Sequence, residues 1–343
     1  MICSSCGVGR PIEDNGVISL RPITSEFISL LTQEGFQVIC DNHICSVAYH
    51  SRAEILELIQ CIRKTAWADE SEMYMNIEGV KSLPDRPVWV SLAQMEARFH
   101  HHGIVDIIVE ERFTSYMQPI VSHREEVVGF EFLMRPSSAQ YPFNPFELFE
   151  IARETGLHSF LDRAARISAI EISALHLPRG FKRFINFLPS SIYNPQYCLT
   201  HTFEAIERHS LDPKDFVFEV VETEQIHNMN NLVDIFDEYR KNGISVALDD
   251  VGSGYSTLAE MSRLKPDYVK IDRSLVDGSS RDKRKQQEIL NIIERAKDFG
   301  GYVLAEGIEE REDFEFCRAH GAAFAQGYLF GKPMPEPPQG LTQ

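Results

Sequence analysis

A series of short apolar runs in the second part of the chain ends in polar residues able to do chemistry: Glu131, Asn186, Glu219, Asp249 with Asp250, Lys270, Glu306 and Gln326. Carboxylates with an amide oxygen form a hard-oxygen donor set suited to Mg²⁺ or Mn²⁺, and the Asp249-Asp250 step can serve two ions. Two metals about 3.5 to 4 Å apart clamp the attacking and leaving oxygens of an in-line phosphoryl displacement. A buried lysine beside such a set orients a water or neutralises charge developing on phosphate, and Lys270 is the candidate. A polar residue at a strand end is often only a loop cap. Two adjacent aspartates after Val-Ala-Leu are harder to explain structurally, because neighbouring carboxylates repel unless cations balance them. Gly252, Gly254 and Tyr255 follow as a loop that either cradles a phosphate, gates the site or makes a tight strand-to-helix turn.

Residues almost 200 positions apart converge only if the fold brings strand ends together. The runs FTSYMQPIV, EVVGFEFLMR, FKRFINFL, DFVFEVVE, GISVALDD, DYVKID, GYVLAEGIE and AAFAQGYLF alternate with helix-like segments. Those segments include FELFEIARETGLHSFLDRAARISAIEISALHL, NLVDIFDEYRKNG and KQQEILNIIERAKDFG, with apolar spacings of three and four and glycine after the last turn. Alternation of this kind is the mark of β/α units with parallel strands. Eight units predict an α/β fold of the (β/α)₈ TIM-like barrel type, whose active sites gather at the C-terminal strand ends. The competing doubly wound sheet lacks a G-x-G-x-x-G turn in this sequence. Before the barrel, RAEILELIQCIRKTAW predicts an amphipathic helix, VWVSL a short strand, and ARFHHHGIVDIIVEERF the connection. The expected division is a small α+β N-terminal region at 1–111, its fold unnamed, and the barrel at 112–343.

The chain has 343 residues with 43% hydrophobic and 25% charged, which excludes a disordered or collagen-like protein. Its net charge of −17 argues against a general nucleic-acid binder, though metal ions would admit a small phosphorylated ligand. No apolar run is long enough for a membrane span and the start lacks a signal-peptide layout, so the expected location is cytoplasmic. There the seven cysteines are expected as thiols or metal ligands rather than disulfides. Cys3, Cys6, Cys40, His43 and Cys45 supply donors for a structural Zn²⁺ site, with small buried thiols or a redox-responsive pair as the other readings. His100, His101 and His102 either bind metal or form a solvated helix end.

Together these residues resemble the EAL-domain family of cyclic-di-GMP phosphodiesterases over residues 112–336. The motifs are Gln118-Pro-Ile, Glu131-Phe-Leu-Met-Arg135, Ile185-Asn-Phe, Glu219-Val-Val-Glu222, DDVGSGYSTL from Asp249, Lys270-Ile-Asp-Arg, Ala305-Glu-Gly-Ile-Glu309, Gln326-Gly-Tyr-Leu-Phe and Lys332-Pro-Met-Pro. The resemblance implies an EAL-type barrel with its first strand antiparallel to its second. It also implies hydrolysis of cyclic-di-GMP to linear pGpG with Mg²⁺ or Mn²⁺. On it, Glu131, Asn186, Glu219 and Asp249 correspond to ligands of one metal, and Asp249 with Asp250 hold the second. Glu306 corresponds to a ligand or base, Lys270 to the group orienting the water, and Glu222 to the anchor of the loop after Asp250. Gln118, Leu133, Arg135, Glu309, Gln326 and Pro333 correspond to substrate contacts, Arg135 offering a planar donor fork to phosphate. That loop joins dimer contacts in the family, so a homodimer is implied.

Four positions depart from the family pattern: Phe132, Val221, Pro136 and Val251 stand where alanine, threonine, tryptophan and phenylalanine are usual. None is a proposed ligand, but Phe132 adds bulk beside Glu131. Two other functions stay open. In one, the barrel is a weakly active or inactive cyclic-di-GMP receptor acting through a protein partner. In the other, the N-terminal region, otherwise expected as the regulatory input to the barrel, is a zinc-based interaction module that places the enzyme on a partner.

Overall fold

The computed structural model describes residues 12–41, 44–64, 73–80, 87–220, 229–252 and 258–338. Two compact units divide the chain: Met1–Phe113 together with Pro136–Leu161, and Thr114–Arg135 together with Asp162–Gln343.

The first unit opens with β1 (Gly16–Arg21), α1 (Ser25–Gln33), β2 (Val38–Asp41), β3 (Ile44–Tyr49) and α2 (Arg52–Lys64). Then come β4 (Tyr74–Gly79), β5 (Val90–Ser91), α3 (Leu92–His100) and α4 (His102–Val109). The strands form an antiparallel sheet in the order β2-β3-β1-β4-β5. Alternation selects its buried face: Ile18 lies opposite Val47 and Ile77, and Leu20 opposite Cys45 and Met75. Ile18, Leu20, Val47, Met75 and Ile77 join Phe27 and Leu31 of α1 and Ile55, Leu58, Ile59 and Ile62 of α2 in one core. An α+β arrangement therefore stands where the sequence left the fold unnamed.

The cysteine expectation needs correction. Cys40 and Cys45 are register partners across the β2–β3 hairpin, Cα atoms 4.1 Å apart, and are joined in a disulfide. A disulfide sulfur lacks the thiolate that zinc binds, so the five-donor Zn²⁺ set cannot form with this bond in place. Cys3, Cys6 and His43 lie outside the described residues. Cys61, Cys198 and Cys317 are buried.

The barrel strands begin with β6 (Phe113–Ser122) and β7 (Val127–Pro136), followed by α5 (Pro145–Glu154), α6 (His158–His176) and β8 (Lys182–Phe187). Next are α7 (Pro195–Cys198), α8 (Thr200–Arg208), β9 (Phe216–Val220), α9 (Met229–Lys241), β10 (Ser245–Val251) and α10 (Leu258–Leu264). The chain closes with β11 (Tyr268–Ile271), α11 (Arg273–Val276), α12 (Lys283–Phe299), β12 (Tyr302–Ala305), α13 (Arg311–His320) and β13 (Phe324–Gln326). Strands β6 to β13 make a closed barrel, and each predicted run supplies one of them. Strands β7 to β13 run parallel to one another in succession, whereas β6 pairs antiparallel with β13 and so opposes both strands that flank it. No helix among the described residues is long and apolar enough to cross a membrane.

Local chemistry sets the helix limits. The stretch read as one segment from Phe146 to Leu177 breaks at Gly156, which adopts φ 69° between α5 and α6. Asp282 caps α12 by accepting from Arg284 N–H and Lys285 N–H, and Gly300 ends it in the left-handed region.

Inside the barrel, Ile120, Phe184, Val217, Ala247, Tyr268 and Leu304 form an apolar layer, with Phe324 packed against it. Strand side chains repeat their facing every two residues. The inward positions one repeat beyond Phe184, Val217, Ala247, Tyr268, Leu304 and Phe324 are Asn186, Glu219, Asp249, Lys270, Glu306 and Gln326. The apolar layer is thus the floor of a polar one.

Candidate metal-binding active site

Lys270 occupies the centre of the polar layer. Its Nζ lies 2.6 Å from Glu306 Oε1, 2.8 Å from Glu219 Oε2, 3.1 Å from Asp249 Oδ1 and 3.6 Å from Glu131 Oε1. Both Lys270 and Glu219 are 0% exposed. Glu131 is held from two sides, since Gln326 Nε2 donates to its Oε2 at 2.6 Å and Asn186 Nδ2 to its Oε1 at 3.3 Å. Asp250 turns through a left-handed φ of 51°, and its N–H donates to Asp249 Oδ1 at 2.9 Å. That turn aims the two neighbouring carboxyls into one cluster. Gly252 follows at φ 101°, where a Cβ would meet Leu275 Cδ1 at 2.1 Å, so only glycine fits the exit from β10.

The electrostatics of this layer are unbalanced. One ammonium faces four carboxyl groups, with Asp250 a fifth nearby. Burial pushes Glu219 well above the usual carboxylate range, and the Lys270 ammonium only partly opposes it. Burial likewise raises Asp249 against Lys270, and burial with the Asp249 charge raises Glu306 well above normal. For Asp250, burial and the Asp249 charge bring the carboxyl to about 7. Glu131 alone moves down: burial works against it, but Lys270 and the amides of Gln326 and Asn186 favour its ionised form. Burial would lower Lys270, yet Asp249, Glu131, Glu219 and Glu306 together hold it well above its ordinary value. Additional positive charge is what such a set lacks.

The donors fit a divalent cation. Glu131, Glu219 and Asp249 each offer an oxygen within 4.8 Å of the others, and so do Asp249, Asp250 and Glu306. Glu219 Oε2 faces the Lys270 ammonium at 2.8 Å, while the buried Oε1 meets no hydrogen-bond donor among the described residues. A buried carboxylate with unused lone pairs is costly unless a cation takes them. Asp249 belongs to both triplets, which makes it the shared corner of two adjacent sites. The other sequence-derived metal candidates differ. His101 Nε2 pairs with Glu154 at 3.3 Å and His100 Nε2 lies 3.8 Å from Glu96, and no metal-competent group among the described residues includes a histidine.

Around this centre, Gln118 on β6 donates to the Gly331 carbonyl at 3.3 Å, and a bridge between Met117 and Met334 brings Gln118 and Pro333 to the same rim. Half-buried Leu133 and Arg135 end β7, with Arg135 Nη1 donating to the Met134 carbonyl. Glu309 is exposed and pairs with Arg273 at 2.8 Å. Buried Gln326 faces Glu131 rather than solvent. Glu222, Val221, Gly254 and Tyr255 lie outside the described residues. Phe132 is buried on the opposite side of β7 from Glu131, as alternation requires, so its bulk enters the barrel wall.

Sequence reasoning missed the support behind Asn186, where Asp162 and Arg166 of α6 form a buried ion pair. Charges on an amphipathic helix usually face water. Asp162 and Arg166, spaced as one helical turn within LDRAAR, were the available signal.

Comparison with known proteins places these features in a family. The EAL domain model matches residues 104–333. The probable cyclic di-GMP phosphodiesterase PdeG of Escherichia coli (strain K12) is 32% identical over 230 residues, 64% of this chain and 44% of that protein. This chain therefore spans less than half of that relative's length. Among solved structures, the standalone versatile EAL protein from Vibrio cholerae O395, in its c-di-GMP bound form, shares 30% identity. Its TM-score is 0.60, and the match covers 67% of this chain and 98% of that one. The Klebsiella pneumoniae BlrP1 manganese/cy-diGMP complex has the same fold at 20% identity and TM-score 0.59, over 93% of this chain and 96% of that one.

Proposed function

The chain belongs to the EAL domain family, and from that premise we propose that it hydrolyses cyclic-di-GMP to linear pGpG in a metal-dependent reaction. The observation that carries this reading is the buried carboxylate layer around Lys270, in which one ammonium faces four carboxyl groups and Asp249 is common to two donor triplets. Glu131, Asn186, Glu219 and Asp249 would hold one Mg²⁺ or Mn²⁺, and Asp249 with Asp250 would hold a second, with Glu306 a further ligand or base. Ions bound there supply Lewis-acid stabilisation of phosphate charge and make water more acidic.

The chain's own residues do the rest. Lys270 orients the attacking water and offsets charge developing on the phosphodiester. Arg135, at the end of β7, presents its fork to a phosphate, while Gln118, Leu133, Glu309, Gln326 and Pro333 line the substrate. Bringing the phosphodiester into line with the water is the positional part of catalysis. We assign the barrel at 112–343 as the phosphodiesterase domain, working as a homodimer in the cytoplasm, and the segment at 1–111 as a regulatory or interaction region.

Titration with cyclic-di-GMP in Ca²⁺, followed by exchange into Mn²⁺, tests the assignment against the receptor alternative. The phosphodiesterase reading expects binding in Ca²⁺ and pGpG in Mn²⁺. Binding in both with no pGpG makes the barrel a receptor that signals through a partner.

A further inference from the structure

One charged pair takes no part in the scheme above. Asp162 and Arg166 sit one turn apart on α6, each 2% exposed, with Arg166 Nε and Nη2 both 3.1 Å from Asp162 Oδ2. Burying two charges is costly unless their hydrogen-bonding capacity is filled, and here the contacts of Asp162 converge on one turn. Its Oδ1 accepts the Leu188 N–H at 2.8 Å, and its Oδ2 accepts the Ser191 hydroxyl at 2.5 Å. The Ser191 hydroxyl is also 2.7 Å from the Leu188 carbonyl. Arg166 Nη1 donates to Thr202 Oγ1 of α8.

Leu188 is the first residue beyond β8 and stands two residues after Asn186, whose Nδ2 donates to Glu131 Oε1. The end of a six-residue strand is fixed by its ladder and by whatever holds the next turn. We propose that Asp162 is a positioning residue for Asn186: its carboxylate, held in place by Arg166, clamps the turn at Leu188 and Ser191. That clamp sets the Asn186 amide so that Nδ2 meets Glu131 and Oδ1 remains as the metal donor. The inference rests on the metal-site reading of the barrel. Asp162 itself lies in the helix layer and belongs to neither metal-competent group among the described residues.

Direct Mn²⁺ binding to the full chain, measured by calorimetry without nucleotide, tests it, with melting curves in parallel. Asp162→Ala should weaken Mn²⁺ binding by about 10 to 100-fold, the range for lost support of a metal ligand. Ser191→Ala should shift it in the same direction by less, and Asp162→Asn, which keeps an oxygen for Leu188, should recover part of the loss. Thr202→Val disturbs the pair's link to α8 but not the turn, and should change melting while leaving Mn²⁺ affinity near wild type. Folded Asp162→Ala and Ser191→Ala proteins that bind Mn²⁺ like wild type would overturn the clamp alone, and Ser191→Ala decides if Asp162→Ala does not fold. A wild-type chain that binds no Mn²⁺ overturns the metal-site reading and the clamp together.

Discussion

Lys270 Nζ stands 2.8 Å from Glu219 Oε2, with both side chains sealed inside the barrel. The lysine is the permanent cation of a layer that carries four carboxyl groups within 3.6 Å of it. Its backbone lies one strand repeat beyond the apolar floor at Tyr268, so the ammonium is fixed in the middle of the carboxylates.

Lys270→Ala should therefore act on chemistry more than on affinity. Removing one preorganised donor of this kind costs about 10² to 10³-fold in turnover. Binding of cyclic-di-GMP in Ca²⁺ should fall far less. Equal losses in both would make Lys270 a binding residue.

Asp249 and Asp250 are neighbours with unequal standing, because Asp249 serves both donor triplets and Asp250 only one. Asp250→Asn should leave one Mn²⁺ bound per chain in calorimetry, whereas Asp249→Asn should abolish tight binding at both positions. The reverse ranking would show that the shared corner has been misassigned.

Phe132 is buried and, by strand alternation, faces away from Glu131. Phe132→Ala should lower stability by about 3 to 5 kcal/mol through cavity formation. Turnover well below the melting point should stay within about threefold, since a 1 Å displacement of Glu131 would cost on the order of 100-fold. A large loss of turnover in a well-folded variant would show that this side chain does tilt Glu131.

Asp313 in the first turn of α13 accepts N–H bonds from Gly278 at 2.9 Å and Ser280 at 2.8 Å. Burial opposes its charge, but these donors hold its pKa below the ordinary value. A depressed carboxylate stabilises the fold above its unfolded pKa of about 3.9, and that contribution disappears as pH falls through the lower folded value. The melting-temperature gap between wild type and Asp313→Asn should be full near neutral pH and close in strongly acidic buffer. A gap that does not depend on pH would mean the loss is steric.

Much of the barrel was legible because its strands repeat with period two. The polar ends of the apolar runs already mark Asn186, Glu219, Asp249, Lys270, Glu306 and Gln326, and the barrel places each of them two residues beyond an inward apolar side chain. Tertiary partners leave no such trace. The Cys40–Cys45 disulfide depends on hairpin register, which spacing alone does not fix, and a cytosolic prior weighed against it. The break at Gly156 lay within an apolar rhythm that continues across it. Asp162 and Arg166 looked like ordinary surface charges until α6 was packed against the turn after β8.

Every role assigned to the barrel depends on metal-dependent phosphodiester hydrolysis by the carboxylate layer. Incubating the purified chain with cyclic-di-GMP and following pGpG by chromatography, with Mn²⁺ and with chelator, in wild type and Asp249→Asn, tests it most directly. The predicted result is pGpG only in wild type with metal. Equal pGpG in chelator, or undiminished pGpG from Asp249→Asn, would contradict the assigned site, and no pGpG from any sample would contradict the assigned reaction.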